Sequence, residues 1–149
     1  MQPVVLHNSF GQPFLSIAWD EANGWLYNRW EGLLSKENVM KGGEQVLAAM
    51  QATGCSLLLN DNREVKGSWS QANDYIAHHW MPKAKALGLR RFAHILAPGL
   101  FAQQSVEEML HRVEGRFEMR LFGSLEEATQ WLQTAQPAAL PAPAQAPAL

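Results

Sequence analysis

Cysteine is almost absent: Cys55 is the single one in 149 residues, so no disulfide framework and no cysteine-based zinc site can be built. At the head of an apolar run it reads as a small core residue rather than a nucleophile. Net charge is also scarce, with 12 Lys and Arg against 14 Asp and Glu, a balance of −2, which leaves no electrostatic footprint for nucleic acid. Lys83, Lys85, Arg90 and Arg91 form a short basic cluster that reads as a solvated face. No apolar run approaches the ~20 residues that cross a bilayer, and MQPVVLHNSF has neither the charged nor the apolar region of a signal peptide. A cytoplasmic protein without stable membrane insertion is expected.

Recognisable catalytic machinery is missing too. The chain has no P-loop, Rossmann glycine fingerprint, nucleophile elbow or HExxH spacing. His78 and His79 are adjacent, and on a helix they would point about 100° apart and not converge on one ion. His94 lies in an apolar strand, where a hydrogen-bonded core histidine is the expectation. No catalytic residue, metal or cofactor is therefore assigned, and the expectation is a protein that binds rather than catalyses.

What the chain has is a patterned run of short elements, enough for one domain that buries roughly 70% of its unfolded surface. Pro13 opens PFLSIAWD, where Leu15, Ile17 and Trp19 alternate as a half-buried strand should. Asn23-Gly24 and WLYNRW complete an antiparallel hairpin whose loop is longer than two residues. Val4, Val5 and Leu6 can lie against its edge. Ser35 caps a helix through Val39, Val46, Leu47 and Met50 that ends at Gly54, and Gly42 and Gly43 let it approach the sheet closely.

Leu57, Leu58 and Leu59 read as a central strand buried on both faces, stopping at the polar loop Asn60, Asp61, Asn62, Arg63, Glu64. Ser68 and Gln71 fit a capping box for the next helix, which Pro82 breaks in two before Gly88. RFAHILA is a further buried strand, Ser105 and Glu108 begin a helix, FEMRLF is an outer strand, and Ser124 with Glu127 caps a last helix through Trp131.

The expected fold class is α/β: a mainly parallel sheet of about four to five strands opened by an antiparallel hairpin, with about four helices. Residues 1–12 are an N-terminal segment, 13–135 the domain, and 136–149 a disordered tail rich in proline and alanine.

The order of elements over roughly 13–134, with the strings LLLNDNREVKGSW, GLRRFAHILAP and SLEEATQWL, resembles STAS-type domains. That is the fold of anti-sigma-factor antagonists and sulfate-transporter tails. The closer likeness is to small stand-alone bacterial STAS-like proteins, related in fold to the CRAL-TRIO lipid carriers. The resemblance implies a non-enzymatic regulatory module with a protein partner. It also implies a phosphorylatable serine where the loop after the central strand enters the next helix. Ser68 occupies that position, preceded by Gly67 where the antagonists typically have aspartate.

In open α/β sheets, ligands and partners meet the loops beyond the strands' carboxyl ends. Asn60, Asp61, Asn62, Arg63, Glu64, Ser68 and Trp69 are accordingly the expected partner contact, with Ser68 the expected phosphorylation site. The CRAL-TRIO likeness adds an alternative, a carrier or sensor of a lipid or other small apolar ligand, with Trp30, Tyr75, Ile76 and Trp80 around an apolar pocket. A homodimer is a further possible partnership.

Overall fold

The computed structural model describes residues 1–97 and 117–135. Six strands form one sheet in chain order: β1 (Val4–His7), β2 (Pro13–Asp20), β3 (Trp25–Leu33), β4 (Leu57–Lys66), β5 (Arg91–Ile95) and β6 (Glu118–Phe122). β1, β2 and β3 pair antiparallel, and β3 to β6 pair parallel. The sheet has one strand more than the upper expectation because β1 adds residues of the N-terminal segment to the edge of β2. The hairpin between β2 and β3 turns at Gly24, whose φ is 75°, while Asp20 accepts from the Asn23 backbone N–H at 3.1 Å.

Three helices are described. α1 (Lys36–Thr53) begins at a capping box between Ser35 and Asn38 and ends at Gly54 in the left-handed region. α2 is a continuous helical run over 70–86, made of a 3-10 turn (Ser70–Ala72), an α-turn (Asn73–Tyr75), a π-turn (Ile76–Trp80) and an α-segment (Met81–Ala86). α3 (Leu125–Gln133) starts where Ser124 accepts from the Glu127 N–H.

Two expectations about this region are corrected. Pro82 does not break the helix. It lacks an N–H and its ring would crowd the carbonyl four residues back, and the π-turn just before it opens the backbone spacing so that the run continues to Ala86. Ser68 is not the N-cap either: the first turn starts at Ser70 with Trp69 as its cap residue, and Ser68 Oγ accepts from the Ser70 N–H at 3.1 Å. The helix expected from Ser105 and the tail 136–149 lie outside the described residues.

The larger correction concerns β4. Asn60 to Glu64 are not a loop: the strand continues to Lys66. The polar stretch stays in the sheet because its backbone pairs with β3 as far as Lys66 and its side chains find partners within the fold. Between Asp61 and Glu64 it holds one residue more than β3 does between Arg29 and Glu31, a bulge that re-aims the side chains beyond it.

The sheet is covered on both faces. α1 and α2 pack on one, over Phe14, Leu15, Ile17, Leu26, Leu58 and Phe92. α3 packs on the other, over Trp25, Leu57, Leu59, Ala93 and Ile95. α1 sits close because a Cβ on Gly42 would collide with the Trp30 ring, and one on Gly43 would come to 3.0 Å from both Trp80 and Tyr75. Arg91, read from sequence as part of a solvated face, instead ties the second layer together. It pairs with Glu118 at 3.0 Å, donates to the Trp131 carbonyl and Thr134, and lies 4.7 Å from the Trp131 ring centre.

Candidate functional site: a polar row beneath the second helix

On the face covered by α1 and α2, the inward positions of the three central strands form rows. Leu26, Leu58 and Phe92 are in register and make an apolar row. Two residues further along, the same registers align Asn28, Asn60 and His94 across β3, β4 and β5. All three are buried, with Asn28 and His94 at 1% exposure. An apolar core interrupted by a straight polar row is the feature around which the site is built.

The row opens into a cavity of about 60 Å³. Its floor is Asn28, Asn60, Asn62 and His94, and its walls include Trp30, Val39, Val46 and Phe92. Trp69, Tyr75, Ile76 and Trp80 close it from the side of α2. Trp30, Tyr75, Ile76 and Trp80, singled out from sequence as a pocket, thus line one cavity, but its floor is polar. Trp69 stacks over His94 with 6.1 Å between ring centres, and Phe92 lies 5.9 Å from the same ring. The wall at α2 is pinned to α1: the Trp80 indole N–H donates to the Gly43 carbonyl at 3.0 Å, and the Tyr75 hydroxyl to Glu44 at 2.5 Å. Burial, then the Glu44 carboxylate, pushes the Tyr75 pKa up.

Hydrogen bonds fix the orientations of Asn60 and His94 in the row. An indole N–H can only donate, so the Trp30 Nε1 contact at 2.9 Å places the Asn60 oxygen towards it. The Asn60 amide nitrogen then faces Asn62 Oδ1 at 3.3 Å and His94 Nδ1 at 3.4 Å. Donating there makes His94 Nδ1 an acceptor and puts the ring proton on Nε2. Burial pushes the His94 pKa down to about 4, opposed by the Asp61 charge, so the ring is neutral near pH 7. Asn28 Oδ1 and His94 Nε2 are both buried and have no hydrogen-bond partner among the described residues.

Asp61 points to the opposite face. It is 2% exposed and accepts from the Tyr27 hydroxyl at 2.5 Å and from Arg63 through Nε at 2.9 Å and a terminal nitrogen at 2.7 Å. Burial alone would raise its pKa, but Arg63 and Tyr27 overcome it and hold the carboxyl below its ordinary range. Asp61 is in register with Ile95, not His94, so the carboxylate and the imidazole are on opposite faces of the sheet and form no pair.

The seven residues expected at the partner contact are therefore divided. Asn60, Asp61, Asn62 and Trp69 are buried, whereas Arg63, Glu64 and Ser68 are exposed. Burial follows from the strand, which turns three of the polar side chains inward, and from Trp69 being drawn over His94. Asn28 escaped the sequence reading altogether. Its signal is there in WLYNRW, where it shares the inward parity of Leu26 and Trp30.

No known family model matches the chain, and no curated protein matches it in sequence. Solved structures do match in fold. An anti-sigma factor antagonist from Mycobacterium paratuberculosis superposes with a TM-score of 0.55 at 15% identity, over 89% of this chain and 95% of that one. An uncharacterized DUF3478-family protein with a SpoIIAA-like fold from Shewanella loihica gives 0.52 at 19% identity, over 79% and 91%. The anti-sigma factor antagonist SpoIIAA in its unphosphorylated form gives 0.53 at 12% identity, over 80% and 96%. The hairpin-led, otherwise parallel sheet with helices on both faces is the STAS-like, SpoIIAA-type fold.

Proposed function

We propose that this chain is a non-catalytic regulatory module that docks a protein partner at the end of the sheet where β3 and β4 finish. The observation that carries the reading is the exposure of two large apolar side chains there, Leu33 at 75% and Phe10 at 87%. They line one shallow hollow with Glu31, Glu37 and Lys66, an apolar centre rimmed by both signs of charge. Ser68 follows directly: a Cβ on Gly67 would come to 3.1 Å from Leu33. Arg63 and Glu64, exposed on the same strand, extend the charged rim.

The fold shared with two anti-sigma factor antagonists supports a regulatory role for such a surface. Phosphorylation of Ser68 would set about −1.5 to −2 charges beside Leu33 and oppose docking of an apolar partner surface. A non-catalytic role is supported by the cavity lining. Its titratable groups, Tyr75 and His94, are shifted away from neutrality in opposite directions and both stay uncharged near pH 7. Neither has a neighbouring nucleophile to activate among the described lining residues.

Affinity purification from the producing cell tests the reading. The wild-type chain should recover a partner in stoichiometric amount, and Leu33→Asp and Ser68→Asp should each lose it without loss of thermal stability. Equal recovery by all three chains would remove this surface from consideration.

A further inference from the structure

We propose that the cavity beneath α2 binds a small, neutral, flat molecule, an amide or an azole, that donates a hydrogen bond to Asn28 and accepts one from His94. The site lies inside the fold and shares only Leu34 with the lining of the hollow at Leu33, so it stands or falls independently of the partner reading.

The chemistry of the ligand follows from what the floor offers. Trp30 orients Asn60, and Asn60 fixes the His94 tautomer, which leaves Nε2–H as a donor. That donor and the acceptor Asn28 Oδ1 are both buried, on residues that line the cavity, without a partner among the described residues. Buried polar groups are ordinarily paired, because an unpaired one loses its bonds to water and gains none. Two of them at one cavity ask for a molecule that donates to Asn28 and accepts from His94. Four asparagine and histidine side chains line the floor, and among the described residues no Asp, Glu, Lys or Arg lines the cavity. An ionic ligand would therefore enter without a counter-charge.

Shape and size narrow the class. Trp30, Trp69, Trp80 and Phe92 present ring surfaces suited to a flat molecule. A volume of about 60 Å³ is small beside the ~150 Å³ of an apolar cavity that takes benzene, so the ligand is compact. A lipid acyl chain fits neither the volume nor the polar row, which it would leave unpaired. The π-turn Ile76–Trp80, a feature frequent at functional sites, supplies two of the lining residues, Ile76 and Trp80.

The test uses the full chain labelled with nitrogen-15 near neutral pH, titrated with pyrazole and with acetamide, with thiophene as a flat control close in size to pyrazole that lacks the donor. Saturable shifts of the His94 ring nitrogens and of the Trp30 and Trp80 indole signals are expected with both probes. Thiophene should bind at least about tenfold more weakly. Asn28→Leu, which replaces an unpaired acceptor by an apolar group of similar size, should fold and weaken pyrazole binding by at least about tenfold. His94→Phe should do the same, and if it fails to fold, Asn28→Leu decides. Four outcomes overturn the proposal: no saturable binding up to the probes' solubility limits; thiophene binding as well as pyrazole; Asn28→Leu binding pyrazole like the wild type; or a crystal structure grown with pyrazole that holds only ordered water between Asn28 and His94.

Discussion

The two faces of the sheet handle buried polarity in opposite ways. Beneath α3, Trp25, Leu57, Leu59, Ala93, Ile95, Ala128 and Leu132 are all at 2% exposure or less, and the polar end of that face is closed by Tyr27, Asp61 and Arg63 bonding one another. Beneath α1 and α2, the strands carry Asn28, Asn60 and His94 into the core, and two of their polar atoms have no partner among the described residues. The same β4 serves both faces by alternation, with Asn60 and Asn62 on one side and Asp61 on the other. A strand buried on both sides can therefore close off one polar group while presenting the next, and the difference separates a structural cluster from a binding site.

The sharpest contrast comes from altering one residue on each face. Leu132→Ala leaves a void in a dry, packed layer and should cost about 2–5 kcal/mol in urea unfolding. Asn28→Leu removes a buried acceptor that lacks a partner and should leave stability unchanged or raise it by about 1 kcal/mol. A loss at Asn28→Leu as large as that at Leu132→Ala would mean that Asn28 is fully engaged by the fold, and the contrast between the faces would disappear.

How far the sequence reveals these faces depends on the kind of signal. The hairpin, β4, β5, β6, and the helices at Ser35 and Ser124 were legible because alternation, caps and Gly54 are local signals. The end of β4 was not. A run such as Asn60, Asp61, Asn62 looks like a loop until the partners are known, and they lie far along the chain: Trp30, Tyr27 and His94. Pro82 misled for a related reason, since a π-turn that absorbs it has no reliable sequence mark. Four lining residues of the cavity, Trp30, Tyr75, Ile76 and Trp80, were reached through the CRAL-TRIO likeness, which suggested an apolar pocket. The polar row required the parallel register of three strands.

The faces should also separate by pH. His94 has its folded pKa pushed down to about 4 from an ordinary 6.5, so the unfolded chain binds the extra proton first. Its contribution is full above pH 6.5 and is lost as pH falls towards 4, by up to roughly 3 kcal/mol. His94→Phe should abolish that slope. On the other face the Asp61 carboxyl is held below its ordinary 3.8, so its contribution is present above that value and lost only at more acidic pH. Asp61→Asn should therefore cost about 1 kcal/mol near neutrality, a modest figure because the Arg63 side chain is 44% exposed. Two acid transitions, each removed by its own variant, would confirm the separation, whereas a single transition sensitive to both would show coupling through β4.

The smallest effect on stability is expected outside both faces. Leu33 is 75% exposed and Arg63 keeps much of its side chain in water, so Leu33→Ser should shift unfolding by no more than about 0.5 kcal/mol. Arg63→Glu should cost more, since it sets a carboxylate against Asp61, whose own oxygens now take the guanidinium. The pair therefore discriminates between a surface kept for a partner and one that merely tolerates apolar exposure. In the first case Leu33→Ser loses the partner at unchanged melting temperature, and Arg63→Glu loses it with a measurable drop. In the second, only Arg63→Glu has any consequence, and that consequence is confined to the fold. Thermal melts beside quantitative partner recovery for the two variants separate these cases, because Leu33 has little to contribute to the fold that could be mistaken for binding.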